Sequence, residues 1–141
     1  MTLPSGKERV NIIQRFESLF PSPLTKRPGF SDTLKKINDH AIFAVAYCKD
    51  TLGYVAFYCN DQNRKVAFLS LIAVEKNYQH QHVGSRLLRI VEEISLQHGM
   101  RFLKLEVSEE NRPAILFYKK NGFGKAGKCS DNSFFMIKKL V

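Results

Sequence analysis

Two stretches of the chain hold residue types that can do chemistry at close quarters. The first, LIAVEKNYQHQHVGSRLL from Leu71 to Leu88, reads as a strand, a polar turn and the opening of a helix. The first N–H groups of a helix have no intrahelical acceptor, and the aligned peptide dipoles make that end positive. A turn that enters a helix at Gly84 can therefore hold a pyrophosphate on bare backbone. An ordinary helix entry explains the same residues, because one glycine before a helix is common. The second stretch, NRPAILFYKKNGF from Asn111 to Phe123, reads as a helix with Pro113 in its first turn and Gly122 at its stop. It can place a phenol, Tyr118, beside a reacting group, or bury that ring as core.

These segments need elements to hold them. Val10, Ile12, Ile13, Phe16 and Leu19 recur at mostly helical spacing over residues 8–19, and FPSPLTKRPG then stops that helix. Ser31 or Asp32 can cap a short second helix running through Ile37. AIFAVAYC (Ala41–Cys48) and TLGYVAFYC (Thr51–Cys59) are rich in β-branched and aromatic residues and lie close in sequence, which predicts an antiparallel hairpin. VAFLSLIAV (Val66–Val74) is apolar enough for a central strand with both faces covered. Leu87, Leu88, Val91, Ile94 and Ser95 give an amphipathic helix from Gly84 to near Gly99, and FLKLEV (Phe102–Val107) follows as a strand. A strand, helix and strand so closely connected predict a parallel pair joined by a right-handed crossover. SFFMIKKL (Ser133–Leu140) reads as a closing strand, free to pair with another subunit, so a homodimer stays open. The expected architecture is α/β, a mixed sheet with helices on both faces.

A chain of 141 residues is the size of one domain, here residues 1–141, with 44% apolar and 25% charged residues arguing against disorder. No apolar run approaches the ~20 residues of a spanning helix, and the opening MTLPSGKERV lacks an apolar signal core. The expectation is a cytoplasmic protein that makes no use of a membrane. Cys48, Cys59 and Cys129 form no C-x-x-C pair, which argues for buried or incidental thiols. The 22 Lys and Arg outweigh 13 Asp and Glu, for a net charge of +9 that attracts anions. The basic residues are dispersed, with no zinc-finger spacing, RNP-like pattern or arginine stripe, so nucleic acid is disfavoured as a partner. His80, His82 and His98 lack a Cys, Asp or Glu at ligand spacing, so no metal is expected. The first two can be phosphate-adjacent imidazoles or plain surface residues.

The two segments together resemble the GNAT acetyltransferase superfamily. Its first motif, Gln or Arg, two residues, Gly, one residue, then Gly or Ala, aligns with Gln79, with His82 at the place usually held by glycine, and with Gly84. LEVSEENRPAILFYKKNGF matches the second signature through Asn111, Ala114, Tyr118, Gly122 and Phe123, and the resemblance extends over roughly Ala41–Phe135. It implies a single N-acetyltransferase domain whose parallel strands splay around acyl-CoA. Backbone groups of Ile72, Ala73 and Val74 would bind the pantetheine arm, and the N–H groups of Gln81, His82, Val83, Gly84 and Ser85 the pyrophosphate. Gln79, His80, Asn111, Ala114, Phe117 and Tyr118 would complete the acetyl-CoA site. His82 puts a side chain where the family prefers none, but histidine is among the residues found at positive φ.

The resemblance also makes Tyr118 the general acid that returns a proton to the departing thiolate, which suits a group with a pKa near 10. The base is less defined. Ser70 is the polar residue of FLSLIAV and can order water, while Glu106 on the next strand is the nearest acid, or a solvent-facing charge paired with a lysine. A backbone N–H near Val74 would steady the oxyanion, and the reaction would be direct transfer to a primary amine, with a small amine, an amino sugar, an amino acid and a protein N-terminus all open as acceptor. The acceptor would lie against the N-terminal helices, the PSPLTKRPGF loop and the hairpin aromatics Tyr47, Tyr54, Phe57 and Tyr58, which can equally be sheet packing. Two other classes stay open: a non-catalytic acyl-CoA-binding regulator and a basic nucleic-acid-binding module.

Overall fold

The computed structural model describes residues 6–16, 29–48, 50–79 and 81–141. Helices α1 (Gly6–Phe16) and α2 (Phe30–His40) precede a hairpin of β1 (Ile42–Cys48) and β2 (Asp50–Tyr58). Strand β3 (Val66–Val74), a 3₁₀ turn (Lys76–Tyr78), α3 (Val83–Gln97) and β4 (Phe102–Ser108) follow, then α4 (Arg112–Lys120), β5 (Gly124–Ser130) and β6 (Ser133–Lys139). The six strands lie in the order β1-β2-β3-β4-β6-β5, antiparallel except for β3 and β4.

Both α2 termini differ from the sequence expectation. It starts at Phe30 behind a left-handed Gly29, with no side-chain cap, and runs on to His40. Burying Ile37 at its centre and packing Phe30 and Leu34 on the same cluster draw the helix out on either side. The continuation of α1 to Leu19 falls outside the described residues. Strand β5 is a further correction: GKAGKCS has neither alternation nor β-branched residues, and all seven of its residues are exposed. Main-chain pairing with β6 makes it a strand, with Ala126 and Cys129 left over as bulges. The closing strand β6 is consequently paired on both sides, to β4 and β5, and the sheet edges are β1 and β5.

One irregularity organises the core. Along the β2–β3 pairing, Ala56 opposes Leu71 and Phe57 opposes Leu69, so Ser70 is the extra residue of a bulge. Before it, Ala67 and Leu69 face the α3 side of the sheet; after it, Leu71 and Ala73 face α1 and α2. A single inserted residue reverses the inside and outside of the strand, as the two-residue period requires. The cluster under α1 and α2 draws only on β1, β2 and β3, so on that face no helix among the described residues packs on the β4, β6 and β5 half of the sheet.

Candidate functional site

Strands β3 and β4 pair only from Val66 opposite Phe102 to Leu69 opposite Leu105. Beyond that step β3 stays bound to β2 and β4 to β6, and the two strands part. The Ser70 bulge sits at the point of separation. Residues 70–74 therefore have an edge without a strand partner, and unused N–H and C=O groups are costly unless water or a ligand satisfies them.

A cavity of about 660 Å³ opens at this edge. It brings together Ile72, Ala73 and Val74 from β3, Gln79, His82, Gly84 and Ser85 from the turn and α3, and Asn111, Ala114, Phe117 and Tyr118 around α4. Of the other residues the sequence proposed, Gln81 and Val83 do not line it, Val83 being buried in the core, and His80 lies outside the described residues. Ser70 and Glu106 stand at the gap itself and not on the cavity wall. Pro113, Leu116 and Lys120 also line the cavity. The sequence held the signal for them: with Phe117 they occupy positions i, i+3, i+4 and i+7 of one helix face. Leu116 is 67% exposed, a large apolar side chain at the mouth that a ligand would cover.

His82 is the N-cap of α3 at φ 63°, in the left-handed region and without a side-chain cap bond. Imidazole is thus accommodated where the backbone asks for glycine. The first α3 bond to a cap carbonyl is Arg86 N–H to His82 O at 3.1 Å, leaving the N–H groups of Val83, Gly84 and Ser85 without an acceptor among the described residues. A Cβ at Gly84 would stand 3.0 Å from Phe117 Cζ. Its absence lets the ring of α4 close against α3, so Gly84 shapes the cavity wall as well as the turn. The Gln79 side-chain amide donates to the Val74 carbonyl at 3.2 Å and ties the turn to the end of β3.

Both ends of α4 fix Tyr118. Asn111 Oδ1 accepts from the Ala114 N–H at 3.4 Å, a weak cap that occupies this oxygen. At the other end Gly122, at φ 95°, donates to the Lys119 carbonyl, and Phe123 N–H donates to the Tyr118 carbonyl at 3.0 Å. That Schellman closure brings Phe123 back on the third-last helical residue, edge-on to the Tyr118 ring with centroids 5.7 Å apart. Tyr118 is both core and cavity wall, which joins the two readings of its ring. Burial pushes its phenol well above the usual value near 10, so the hydroxyl keeps its proton through the neutral range. No described residue accepts from that hydroxyl.

Glu106 is the first β4 residue past the last β3 partner. Its neighbours Leu105 and Val107 are buried on the α3 side, so its carboxylate points to the opposite face. Ser133 Oγ donates to Glu106 Oε2 at 2.7 Å, and Ser130 Oγ lies 2.7 Å from Ser133 Oγ. Ser133 gives its one proton to the carboxylate, so Ser130 shares its own between Ser133 Oγ and Asn132 Oδ1 at 3.1 Å. Tyr118 thus lines the cavity, and Glu106 lies on the opposite face of the sheet. Two of the hairpin aromatics settle as core: Tyr54 and Phe57 are fully buried, and Tyr54 stacks on Phe43 at 5.3 Å, while Tyr58 lines a second pocket. The Tyr47 side chain falls outside what is described. The Cys59 thiol is buried, donates to Ser95 Oγ at 3.5 Å and is pushed up by desolvation, away from any role as nucleophile.

The sequence matches the acetyltransferase (GNAT) family over residues 10–123. An uncharacterized N-acetyltransferase of Methanocaldococcus jannaschii is 31% identical over 94 residues, 64% of this chain, which spans only 42% of that protein's length. A Bacillus subtilis protein, provisionally named a [ribosomal protein bS18]-alanine N-acetyltransferase, is 34% identical over 115 residues, 78% of this chain and 70% of its own. Among solved structures, the PaiA N-acetyltransferase of Thermoplasma acidophilum in complex with coenzyme A superposes with a TM-score of 0.77 at 20% identity, covering 98% of this chain and 96% of that one. An aminoglycoside 6'-N-acetyltransferase with coenzyme A gives 0.76 at 14% identity, covering 100% and 98%. These likenesses share the mixed sheet with its one parallel pair. A chain with this splayed pair, matched by the family over most of its length, belongs to the acetyltransferase (GNAT) family.

Proposed function

We propose that the chain transfers an acetyl group directly from acetyl-CoA to a primary amine, with a polypeptide α-amine as the favoured acceptor. The observation that carries this reading is the parting of β3 and β4 beneath the three free N–H groups of α3. It offers main-chain partners for a pantetheine amide and an anion site for a pyrophosphate within one cavity. Lys120 on the cavity wall adds a cation for the phosphates. The α-amine follows from the name of the Bacillus subtilis relative.

Glu106 accepts the proton the amine loses as its nitrogen bonds the thioester carbon. Tyr118 gives its proton to the sulfur as the C–S bond breaks, and water restores both groups. The oxyanion is steadied by main-chain N–H near Val74, while orientation in the gap supplies much of the rate gain. The test is thiol release from acetyl-CoA with peptides, amino sugars and small amines. Peptides with free N-termini are expected to be turned over and their N-blocked copies not. Tight acetyl-CoA binding with no turnover of any amine would leave a non-catalytic acyl-CoA-binding protein instead.

Two variants probe the cofactor turn. Gly84→Val puts a branched side chain against Phe117, forcing the ring into the cavity, and is expected to weaken acetyl-CoA binding more than tenfold, about 1.4 kcal/mol. Unchanged calorimetric affinity in a folded variant would remove Gly84 from the site. His82→Gly replaces a left-handed histidine with the residue that adopts that conformation freely, and is expected to keep or improve affinity. A sharp loss at pH 6 that fades at pH 8 would instead identify the imidazolium as a phosphate ligand.

A further inference from the structure

On the face opposite the cofactor cavity, where β4 and β6 carry no helix among the described residues, lies a groove of about 460 Å³. Its walls present three cations, Lys36 from α2, Arg64 from the β2–β3 turn and Lys104 from β4, around Tyr58, Phe68 and Phe135. The Lys104 ammonium sits 4.0 Å from the Phe135 ring centroid, and Lys36 5.2 Å from that of Tyr58. One carboxylate, Asp61, also lines the groove, and it accepts from the Arg64 main-chain N–H at 3.0 Å. Among the described residues no carboxylate is paired with any of the three cations. Three positive charges share a concave wall, two of them, Lys36 and Lys104, over aromatic rings.

The groove and the gap share β4 and β6. Lys104 and Glu106 are two residues apart on one face of β4, and Phe135, which Lys104 covers, is the β6 partner of Glu106. Two steps along a strand are about 6.6 Å. An extended polypeptide advances about 3.3 to 3.6 Å per residue. A chain whose terminal amine meets Glu106 and which runs toward Lys104 and Arg64 would therefore lay about its third to fifth residues in the groove.

We infer that this groove selects acceptor polypeptides bearing Asp or Glu at about the third to fifth position. The inference rests on the acetyl-transfer reading and narrows its substrate class. Nucleic acid fits less well, because the Tyr58 and Phe135 faces that could stack a base already carry lysines.

Three peptides with identical free N-termini and Asp, Ser or Lys at positions three to five provide the test. kcat/KM is expected to be at least tenfold higher for the Asp peptide than for the Lys peptide. Lys104→Gln combined with Arg64→Gln should erase that preference while acetyl-CoA affinity stays within twofold, and Lys104→Arg should retain it. Independently of turnover, the N-acetylated Asp peptide is titrated into protein saturated with CoA. Calorimetric binding lost in the double variant is expected. If that binding is seen but no amine is acetylated, the groove assignment stands and the transfer reading fails. If peptides are acetylated without an acidic preference, or the preference survives the double variant, the groove assignment is overturned. A duplex or single-stranded oligonucleotide that displaces the peptide and needs the same two cations would also overturn it, assigning the groove to nucleic acid.

Discussion

Tyr118→Phe is expected to lower kcat about 10²-fold with little change in acetyl-CoA affinity or folding stability. The substitution keeps the ring that packs edge-on to Phe123 and removes a hydroxyl bonded to no described residue, so little packing is lost. The sign of its pKa shift sets the pH dependence. Burial raises the phenol, so its contribution to stability is full below the unfolded value near 10 and is lost only as pH rises beyond it. Between pH 6 and 9 the variant should therefore lower the rate profile without changing its shape. Steady-state rates across that range check this. An acyl donor whose thiol is far more acidic than that of CoA should recover much of the loss. Equal losses with both donors would indicate misplaced substrate, and full activity with acetyl-CoA would return Tyr118 to packing alone.

Glu106→Gln is expected to cost more at neutral pH, about 10² to 10³-fold in kcat/KM, because it removes the proton acceptor while keeping the shape. Ser133 still has an oxygen to donate to in the Gln side chain, so the local hydroxyl chain is conserved. The deficit should narrow as pH rises past about 8, where a free α-amine is already deprotonated. A loss of the same size at pH 7 and pH 9.5 would mark Glu106 as a structural anchor for β6. Ser70→Ala gives the contrast: its hydroxyl makes no hydrogen bond among the described residues, and a change under threefold would limit Ser70 to backbone geometry.

Much of the cofactor side was legible in the sequence because its information is local. Pro113 and Gly122 bracket α4, and the Schellman closure they imply brings Phe123 onto Tyr118 without help from distant residues. The same holds for β3, whose bounds follow from one apolar run, and for the parallel pairing that its short connection to β4 requires. His82 could be read as a tolerable left-handed residue from its type alone, and it stands at φ 63°.

Other features needed the assembled sheet. β5 has no strand propensity of its own, and exists because β6 entered between it and β4 and offered an edge. Ser70 looked like one polar residue in an apolar strand; only its partners on β2 reveal that it is inserted and that the faces exchange across it. The hairpin aromatics could line a pocket or fill a core until the sheet faces were assembled: Tyr54 packs under α1 and α2, Phe57 packs on the α3 side, and Tyr58 lines a groove. Sequence determined the elements and the turns that cap them, because those depend on spacing and backbone preference within a few residues. Tertiary structure decided where β3 and β4 part, what Gly84 makes room for and which residues line the groove, because each depends on elements brought together from distant parts of the chain.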